Sequence, residues 1–196
     1  MAVAAVMIRP VGKVFVITGP SGGGKGTLIE QVLGQVPELE LSISATTRAP
    51  RPGELDGRDY HFLSPEEFDR RVEAGDFLEH ATYSGNRYGT LLEEVERRLA
   101  EGRSVVLEIE VQGARQVREA MPEAVQVFIA PPSPEVLRER LEGRGTDSPE
   151  AIEERLLTAE TELAARDEFP HVVVNDDLQK AASELEGLVR GELSLH

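Results

Sequence analysis

Short apolar runs alternate along the chain with segments in which apolar residues recur at helical spacing. The runs are bounded by glycine, proline or polar residues and predict buried parallel strands at 14–17, 104–110, 125–130 and 171–175. The helical pattern predicts helices that begin after residue 27, near Leu92, at Ser133-Pro134, at Ser148-Pro149 and near residue 177. This alternation favours an α/β domain with a parallel sheet flanked by helices.

Residues 38–93 interrupt that pattern. Residues 41–44 alternate as in a strand, and residues 46–62 are rich in turn formers and charge. Ser64-Pro65 predicts a helix start, with Glu67 completing a capping box. Phe68, Val72 and Phe77 supply apolar side chains for a small core. We interpret 38–93 as an inserted β-rich lobe with one helix.

Composition excludes several classes of site and partner. The 196 residues include no cysteine, which excludes disulfides, thiolate nucleophiles and cysteine–zinc sites, and the four histidines are scattered without metal-ligand spacing. A net charge of −15 repels nucleic acid. No apolar run predicts a membrane span or targeting segment, so we expect a cytoplasmic protein without a nucleic-acid, membrane or protein partner.

The stretch GPSGGGKGTL follows the first predicted strand and precedes a helix, which is the context of a phosphate-binding loop. Glycines let backbone N–H groups converge on phosphate oxygens, and Lys25 supplies a mobile positive charge. The alternative is a glycine-rich turn with an incidental lysine. The residues predicted to bind a nucleoside triphosphate here are Gly19, Pro20, Ser21, Gly22, Gly23, Gly24, Lys25, Gly26 and Thr27.

Gly26 departs from this motif, which usually has a serine or threonine that reaches Mg²⁺. Thr27 follows one position later, and Glu108 ends a predicted strand. We predict that Thr27 and Glu108 contact Mg²⁺ through water, an arrangement that this ion accepts readily. The alternative for Glu108 is a carboxylate at the rim of the sheet without a metal role.

The inserted lobe carries arginines and tyrosines that suit a phosphate dianion. Arg48 and Arg51 lie in a turn-rich segment, and the tyrosyl hydroxyls of Tyr60 and Tyr88 are neutral donors. The alternative is that these arginines are neutralised by the acidic residues of the same segment, which are Glu54, Asp56 and Asp59.

Seven segments, in order from about residue 13 to 180, resemble the guanylate kinase family. They are GPSGGGKGTL, SATTRAPRPGELDGRDYHF, FLEHATYSGNRYGT, LEIEVQGA, IAPPS, RLEGRGTDSPEAIEERL and VVNDDL. The resemblance implies a P-loop nucleoside monophosphate kinase fold. Its implied parts are a core (13–37, 94–135 and 166–196), a GMP-binding lobe (38–93), a helical lid (136–165) and a flexible arm (1–12).

The resemblance also implies roles for single residues. Those that match the family's GMP phosphate site are Ser44, Arg48, Arg51, Tyr60 and Tyr88. Glu79, Thr90 and Glu110 match the residues that read guanine, whose N1–H and N2–H₂ donors suit carboxylates. The family usually has Asp-Ile-Asp where this chain has Glu108-Ile109-Glu110, which alters the reach of both carboxylates.

Three arginines match the family's lid residues, and one asparagine matches a residue near the ATP adenine. Arg140, Arg144 and Arg155 would neutralise phosphate charge together with Lys25 and Arg48, which makes these five the expected catalytic residues. Alternatively, the lid arginines pair with Glu139, Glu142 and Glu154 on helix surfaces. Asn175 is the residue that matches the adenine position; alternatively it is a turn former at the end of a strand.

The implied reaction is the reversible, Mg²⁺-dependent transfer of the ATP γ-phosphoryl group to GMP or dGMP. Three alternatives differ in class or acceptor. The first is a non-catalytic guanylate-kinase-like binding module, and the second is a kinase of the same fold with another phosphorylated acceptor. The third, a signalling GTPase, would need an Asn-Lys-x-Asp base-reading motif that the sequence lacks.

Overall fold

The computed structural model describes residues 12–83, 85–143 and 148–194. Arg144 and residues 1–11 of the predicted arm lie outside them. The described strands are β1 Val14–Thr18, β2 Leu39–Leu41, β3 Ala45–Thr46, β4 His61–Phe62, β5 Phe77–Tyr83, β6 Asn86–Leu91, β7 Ser104–Glu108, β8 Val125–Ala130 and β9 His171–Val174. The described helices are α1 Lys25–Gln35, α2 Pro65–Ala74, α3 Leu92–Ala100, α4 Val111–Ala120, α5 Pro134–Glu142, α6 Pro149–Ala164 and α7 Leu178–Ser194.

The core is a parallel sheet in the order β2-β7-β1-β8-β9, as the alternation of runs and helices predicted. Phe15 and Ile17 of β1 pack on the side of α1 and α7, whereas Val14 and Val16 pack on the side of α3 and α4. Because both faces of the sheet are covered, its central strands are continuous apolar runs. In the described ranges, no helix is long and apolar enough to cross a membrane.

The second sheet has the order β4-β3-β6-β5 and forms the inserted β-rich lobe together with α2. Ser64 caps α2 by accepting a hydrogen bond from the Glu67 N–H at 3.1 Å. Phe68 is fully buried and stacks on Phe77, with ring centroids 4.5 Å apart. These contacts confirm the predicted helix start and two members of the predicted lobe core.

Two boundaries and one helix differ from the sequence prediction. The strand predicted at 41–44 is β2 at Leu39–Leu41, and it pairs with β7 in the core sheet because Leu39 fills a buried position against that sheet. The strand predicted at 104–110 ends at Glu108, and Glu110 caps α4. Helix α4 was not predicted, although Val111, Ala114 and Val117 recur at helical spacing.

Candidate active site

The glycine-rich loop requires its glycines. Gly19, Gly22 and Gly24 have φ values of 135°, 88° and 89°, a region that L side chains rarely adopt. A Cβ at Gly19 would lie 2.2 Å from the Ile129 carbonyl oxygen, and one at Gly24 would lie 2.3 Å from Asn175 Nδ2. The loop therefore passes too close to its neighbours for side chains, and it leads directly into the N-terminus of α1.

Lys25 begins α1 and turns its ammonium back over the loop. Its Nζ donates to the carbonyl oxygens of Gly19 at 2.5 Å and Pro20 at 3.1 Å. This places the positive charge beside the loop and at the wall of a large cleft. A helix N-terminus with converging amides and a lysine is suited to an anion such as a phosphate chain.

Gly26 faces Glu108 across the edge of the sheet. An ideal Cβ at Gly26 would lie 3.8 and 3.9 Å from the two Glu108 carboxylate oxygens, and Thr27 is exposed on the next position of α1. Glu108 is an exposed residue overall, but partial desolvation at the cleft wall raises its pKa, while Lys25 opposes this shift and Glu30 adds to it. Within the described ranges, no group of three or more histidine, aspartate or glutamate side chains forms a metal cage.

A cleft of about 450 Å³ runs from the loop into the inserted lobe. It brings together ten residues that the sequence singled out: Gly19, Ser21, Lys25, Ser44, Arg51, Tyr60, Glu79, Tyr88, Glu108 and Glu110. Residues from the core and the lobe thus share one cavity, with the phosphate loop at one end and Glu79 in the lobe.

Glu79 and Thr90 form a buried polar pair on adjacent lobe strands. Glu79 is 3% exposed and Thr90 is 1% exposed, and Thr90 Oγ1 donates a hydrogen bond to Glu79 Oε1 at 2.7 Å. Burial raises the pKa of Glu79 to about 7, with Thr90 opposing the shift and Glu110 reinforcing it. Burial raises the pKa of Glu110 itself to about 6. The cleft therefore presents carboxyl groups that titrate near neutral pH.

Arg48 is paired within its own segment, as the structural alternative proposed. Its Nη1 and Nη2 donate to the two carboxylate oxygens of Glu54 at 3.0 and 2.8 Å. The guanidinium lies 5.2 Å from the Tyr60 ring centroid, so it remains beside the cleft. Arg51 lines the cleft, and its backbone N–H donates to Glu54 Oε2 at 2.7 Å.

The two described arginines of the predicted lid contact the glycine loop and the residue that follows β9. Arg155 on α6 donates to Ser21 Oγ at 2.5 Å, and Arg140 on α5 donates to the Asn175 carbonyl oxygen at 2.8 Å. Arg140 Nη1 is buried without a hydrogen-bond partner within the described ranges. The alternative in which these two arginines pair on the surface with Glu139, Glu142 and Glu154 has no support from these contacts.

Asn175 supports the loop from behind. It is 4% exposed, and its Nδ2 donates to the Gly23 carbonyl oxygen at 2.9 Å. Its backbone N–H donates to the Ala130 carbonyl oxygen at 2.8 Å, which ties the ends of two core strands together. Its side chain therefore has a structural contact with the loop, whereas its predicted place near adenine stays a prediction.

Four polar residues of the cleft were missed as site residues. They are Ser42, Asp59, Tyr83 and Glu162. Burial raises the pKa of Glu162 and of Tyr83, and Ser21, which lines the same cleft, opposes both shifts. Glu162 follows Arg155 by seven residues, so helical periodicity could have placed both on one face of α6.

Comparison with known proteins agrees with this geometry. The family model described as guanylate kinase matches residues 11–192. A guanylate kinase from Rubrobacter xylanophilus is 56% identical over 179 residues, which are 91% of this chain and 94% of that protein. One from Gloeobacter violaceus is 54% identical over 185 residues, which are 94% and 90% of the two chains. The crystal structure of guanylate kinase from Anaplasma phagocytophilum superposes with a TM-score of 0.77 at 34% identity, covering 95% of this chain and 88% of the other. The chain belongs to the guanylate kinase family.

Proposed function

We propose that this chain catalyses the reversible transfer of the ATP γ-phosphoryl group to GMP or dGMP. Family membership over most of the chain supports this reaction class. The observation that carries the choice of acceptor is the single cleft that joins Lys25 and the glycine loop to the buried Glu79–Thr90 pair.

The lobe end of the cleft suits guanine better than adenine. Ionised Glu79 accepts hydrogen bonds, and guanine offers donors at N1 and N2, whereas adenine offers an acceptor at N1. Glu110 adds a second carboxylate to the same cleft, and the Thr90 hydroxyl lies beside Glu79. A site with buried polar groups rejects a base that leaves them unpaired, because the unpaired group keeps its desolvation cost.

The middle of the cleft suits the phosphate of a monophosphate acceptor. Arg51 supplies a guanidinium, and Ser44, Tyr60 and Tyr88 supply hydroxyls along the cleft wall. In the proposal, the Arg48 guanidinium gives up one of its two hydrogen bonds to Glu54 and donates to the acceptor phosphate instead. The guanidinium already lies beside the ring of Tyr60, which lines the cleft.

Transfer then depends on position and charge, and not on a dedicated base, because the acceptor phosphate oxygen is already a nucleophile. Lys25 and the loop amides hold the β- and γ-phosphates of ATP. Arg140 and Arg155 approach the phosphates from the lid. The Nη1 group of Arg140 has no hydrogen-bond partner within the described ranges and can donate to a phosphate oxygen. Arg144 shares this proposed role on the basis of the sequence resemblance.

Mg²⁺ fits this site as an ion held mainly by phosphate oxygens and water. Glu108 and Thr27 are the residues proposed to orient its waters, and Glu108 is the carboxylate that Gly26 faces. When bound, the ion would neutralise charge on the β- and γ-phosphates. We propose a cytoplasmic enzyme whose partners are these nucleotides.

The test is ADP formation from ATP and Mg²⁺ with GMP, dGMP, AMP, CMP and UMP supplied in turn. We expect turnover with GMP and dGMP, and loss of that turnover in Lys25→Ala. A matched control is Lys180→Ala, an exposed lysine of α7. Binding of ATP without turnover on any of these monophosphates would refute the nucleotide-kinase assignment and point to another acceptor or to the binding-module alternative. Turnover on another phosphorylated compound alone would support the alternative acceptor.

A further inference from the structure

Gly113 lies in the first turn of α4, immediately behind the carboxylate of Glu79. Alanine is a much better helix former than glycine, so helix stability does not explain this residue. An ideal Cβ at Gly113 would lie 2.3 Å from Glu79 Oε2 and 3.0 Å from Glu79 Cδ. Real Cβ atoms do not approach other atoms so closely, so only a hydrogen atom fits between α4 and this carboxylate.

Glu79 has little freedom to move away from a larger residue at 113. Its residue is 3% exposed, and its other oxygen, Oε1, accepts the Thr90 hydroxyl at 2.7 Å. Glu79 and Thr90 are also directly paired across strands β5 and β6. A methyl group at 113 would push Oε2 and rotate the carboxylate out of this hydrogen-bonded arrangement.

Other helical glycines of the described chain show no such contact. At Gly34 in α1, and at Gly187 and Gly191 in α7, a Cβ would meet nothing within 4 Å. The close approach at Gly113 is therefore specific to its position behind Glu79. It also gives the experiment a matched set of control glycines.

We propose that Gly113 is a positioning residue for base selection, which sets the orientation of the Glu79 carboxylate toward the acceptor base. The inference rests on the proposed function and deepens it, because it assigns guanine selectivity to a residue without a side chain. Guanine has an N2 amino group that hypoxanthine lacks. A rotated carboxylate loses the contacts that distinguish the two bases, so GMP suffers more than inosine monophosphate.

The experiment compares Gly113→Ala with Gly187→Ala. We measure kcat/KM for GMP and for inosine monophosphate, together with KM for ATP. In Gly113→Ala we expect kcat/KM for GMP to fall about tenfold or more and the GMP-to-inosine-monophosphate ratio to fall several-fold, with KM for ATP within about twofold. In Gly187→Ala we expect all values to match the wild type. An equal loss for both acceptors, or an unchanged ratio, would overturn the inference.

A second pair of variants covers the outcome in which Gly113→Ala folds poorly. We compare its unfolding midpoint in the wild-type and Glu79→Ala backgrounds. If the clash is with Glu79, Gly113→Ala lowers the midpoint in the first background and does not lower it in the second. An equal drop in both backgrounds overturns the inference. Failure of the proposed function is separate, since it appears as wild-type protein that does not phosphorylate GMP.

Discussion

Arg155 of α6 donates from Nη2 to the Ser21 hydroxyl at 2.5 Å, which joins the lid to the tip of the glycine loop. Glu162 of the same helix and Tyr83 of the lobe lie in the same cleft as Ser21, and burial raises the pKa of both side chains while Ser21 opposes these shifts. The core, the lid and the lobe therefore meet at one residue.

We predict that Arg155→Ala lowers kcat by about tenfold to a hundredfold, because it removes a cation that approaches the phosphates and the contact that holds the lid. Initial rates at saturating ATP and GMP measure this change. The control is Arg138→Ala, which removes an exposed arginine of α5 that pairs with Glu142 and Glu153, and it should keep near wild-type kcat. Equal kcat values for Arg155→Ala and wild type would rule out a catalytic role for this arginine.

The core of the fold was predictable because the central strands of its sheet are covered on both faces. Burial on both sides demands continuous apolar residues, as at 14–17 and 125–130, and these runs are visible in the sequence. Helix α4 was harder to predict. It begins at Val111, soon after β7 ends at Glu108, and its N-cap residue is Glu110, which makes no side-chain capping hydrogen bond. Gly113 further weakens its helical signal.

The sequence predicted which residues belong to the candidate site, but it predicted only some of the contacts that these residues make. The glycine loop has a local motif, so its position between β1 and α1 followed from the sequence. The sequence left two partners open for Arg48, a phosphate or an acidic residue of its own segment, and it pairs with Glu54 because opposite charges six residues apart in a turn can meet. The approach of Gly113 to Glu79 joins two elements 34 positions apart, and no local pattern indicates such a contact.

We predict that the stability of the fold falls as pH rises from about 4.5 to about 7 because of Glu79. Its pKa is raised from 4.5 to about 7 by burial, so the folded chain holds this proton more tightly than the unfolded chain. Unfolding then releases a proton, and each pH unit in that window costs up to about 1.4 kcal/mol. Chemical denaturation at pH 5, 6, 7 and 8 measures the slope, which Glu79→Gln should reduce. A variant with the wild-type slope would show that Glu79 is not the group responsible.

The same ionisation should favour guanine binding, with the opposite pH trend. We predict that kcat/KM for GMP rises with pH through about 7, because only the ionised Glu79 accepts the guanine donors. The GMP phosphate titrates near about 6, and burial raises the pKa of Glu110 to about 6, so the profile of Glu79→Gln serves as the reference for these two groups. We expect the variant to lose the component near 7 and keep the component near 6. Identical profile shapes in both proteins would contradict this assignment.

We predict that Gly26→Ser folds and lowers the Mg²⁺ concentration needed for half-maximal rate. A side chain fits at 26, since its Cβ would lie 3.8 and 3.9 Å from the Glu108 oxygens, and serine is the better helix former. The added hydroxyl would supply a ligand that this loop otherwise lacks. Mg²⁺ titrations at fixed ATP measure the effect, with Gly34→Ser as control on the same helix. If neither Gly26→Ser nor Thr27→Ala changes the Mg²⁺ concentration needed for half-maximal rate, neither position contributes to Mg²⁺ binding.

Glu94 of α3 ties the core to two parts of the lobe, the segment that enters it after β2 and strand β4. Its Oε1 accepts the Ile43 N–H at 3.1 Å, between β2 and β3, and its Oε2 lies 2.9 Å from His61 Nε2 on β4. Arg98, which is 9% exposed, pairs with the same carboxylate. Burial opposes ionisation of Glu94, but these hydrogen bonds and the Arg98 charge outweigh it and hold its pKa below the ordinary value.

We predict that Glu94→Gln raises KM for GMP several-fold and leaves KM for ATP nearly unchanged, since it loosens the base of the lobe and not the glycine loop. It should also weaken the fold above about pH 4.5. Because the pKa of Glu94 is lowered in the folded chain, its ionised form contributes stability above that pH, and this contribution is lost as the pH falls through the folded-state pKa. Glu93→Gln, an exposed neighbour on α3, is the matched control. Steady-state kinetics and denaturation at pH 4 and pH 7 test both parts. Equal increases in KM for GMP and KM for ATP would show that Glu94 acts on the whole fold, because the loss of its contacts with Ile43 and His61 alone would affect only the lobe.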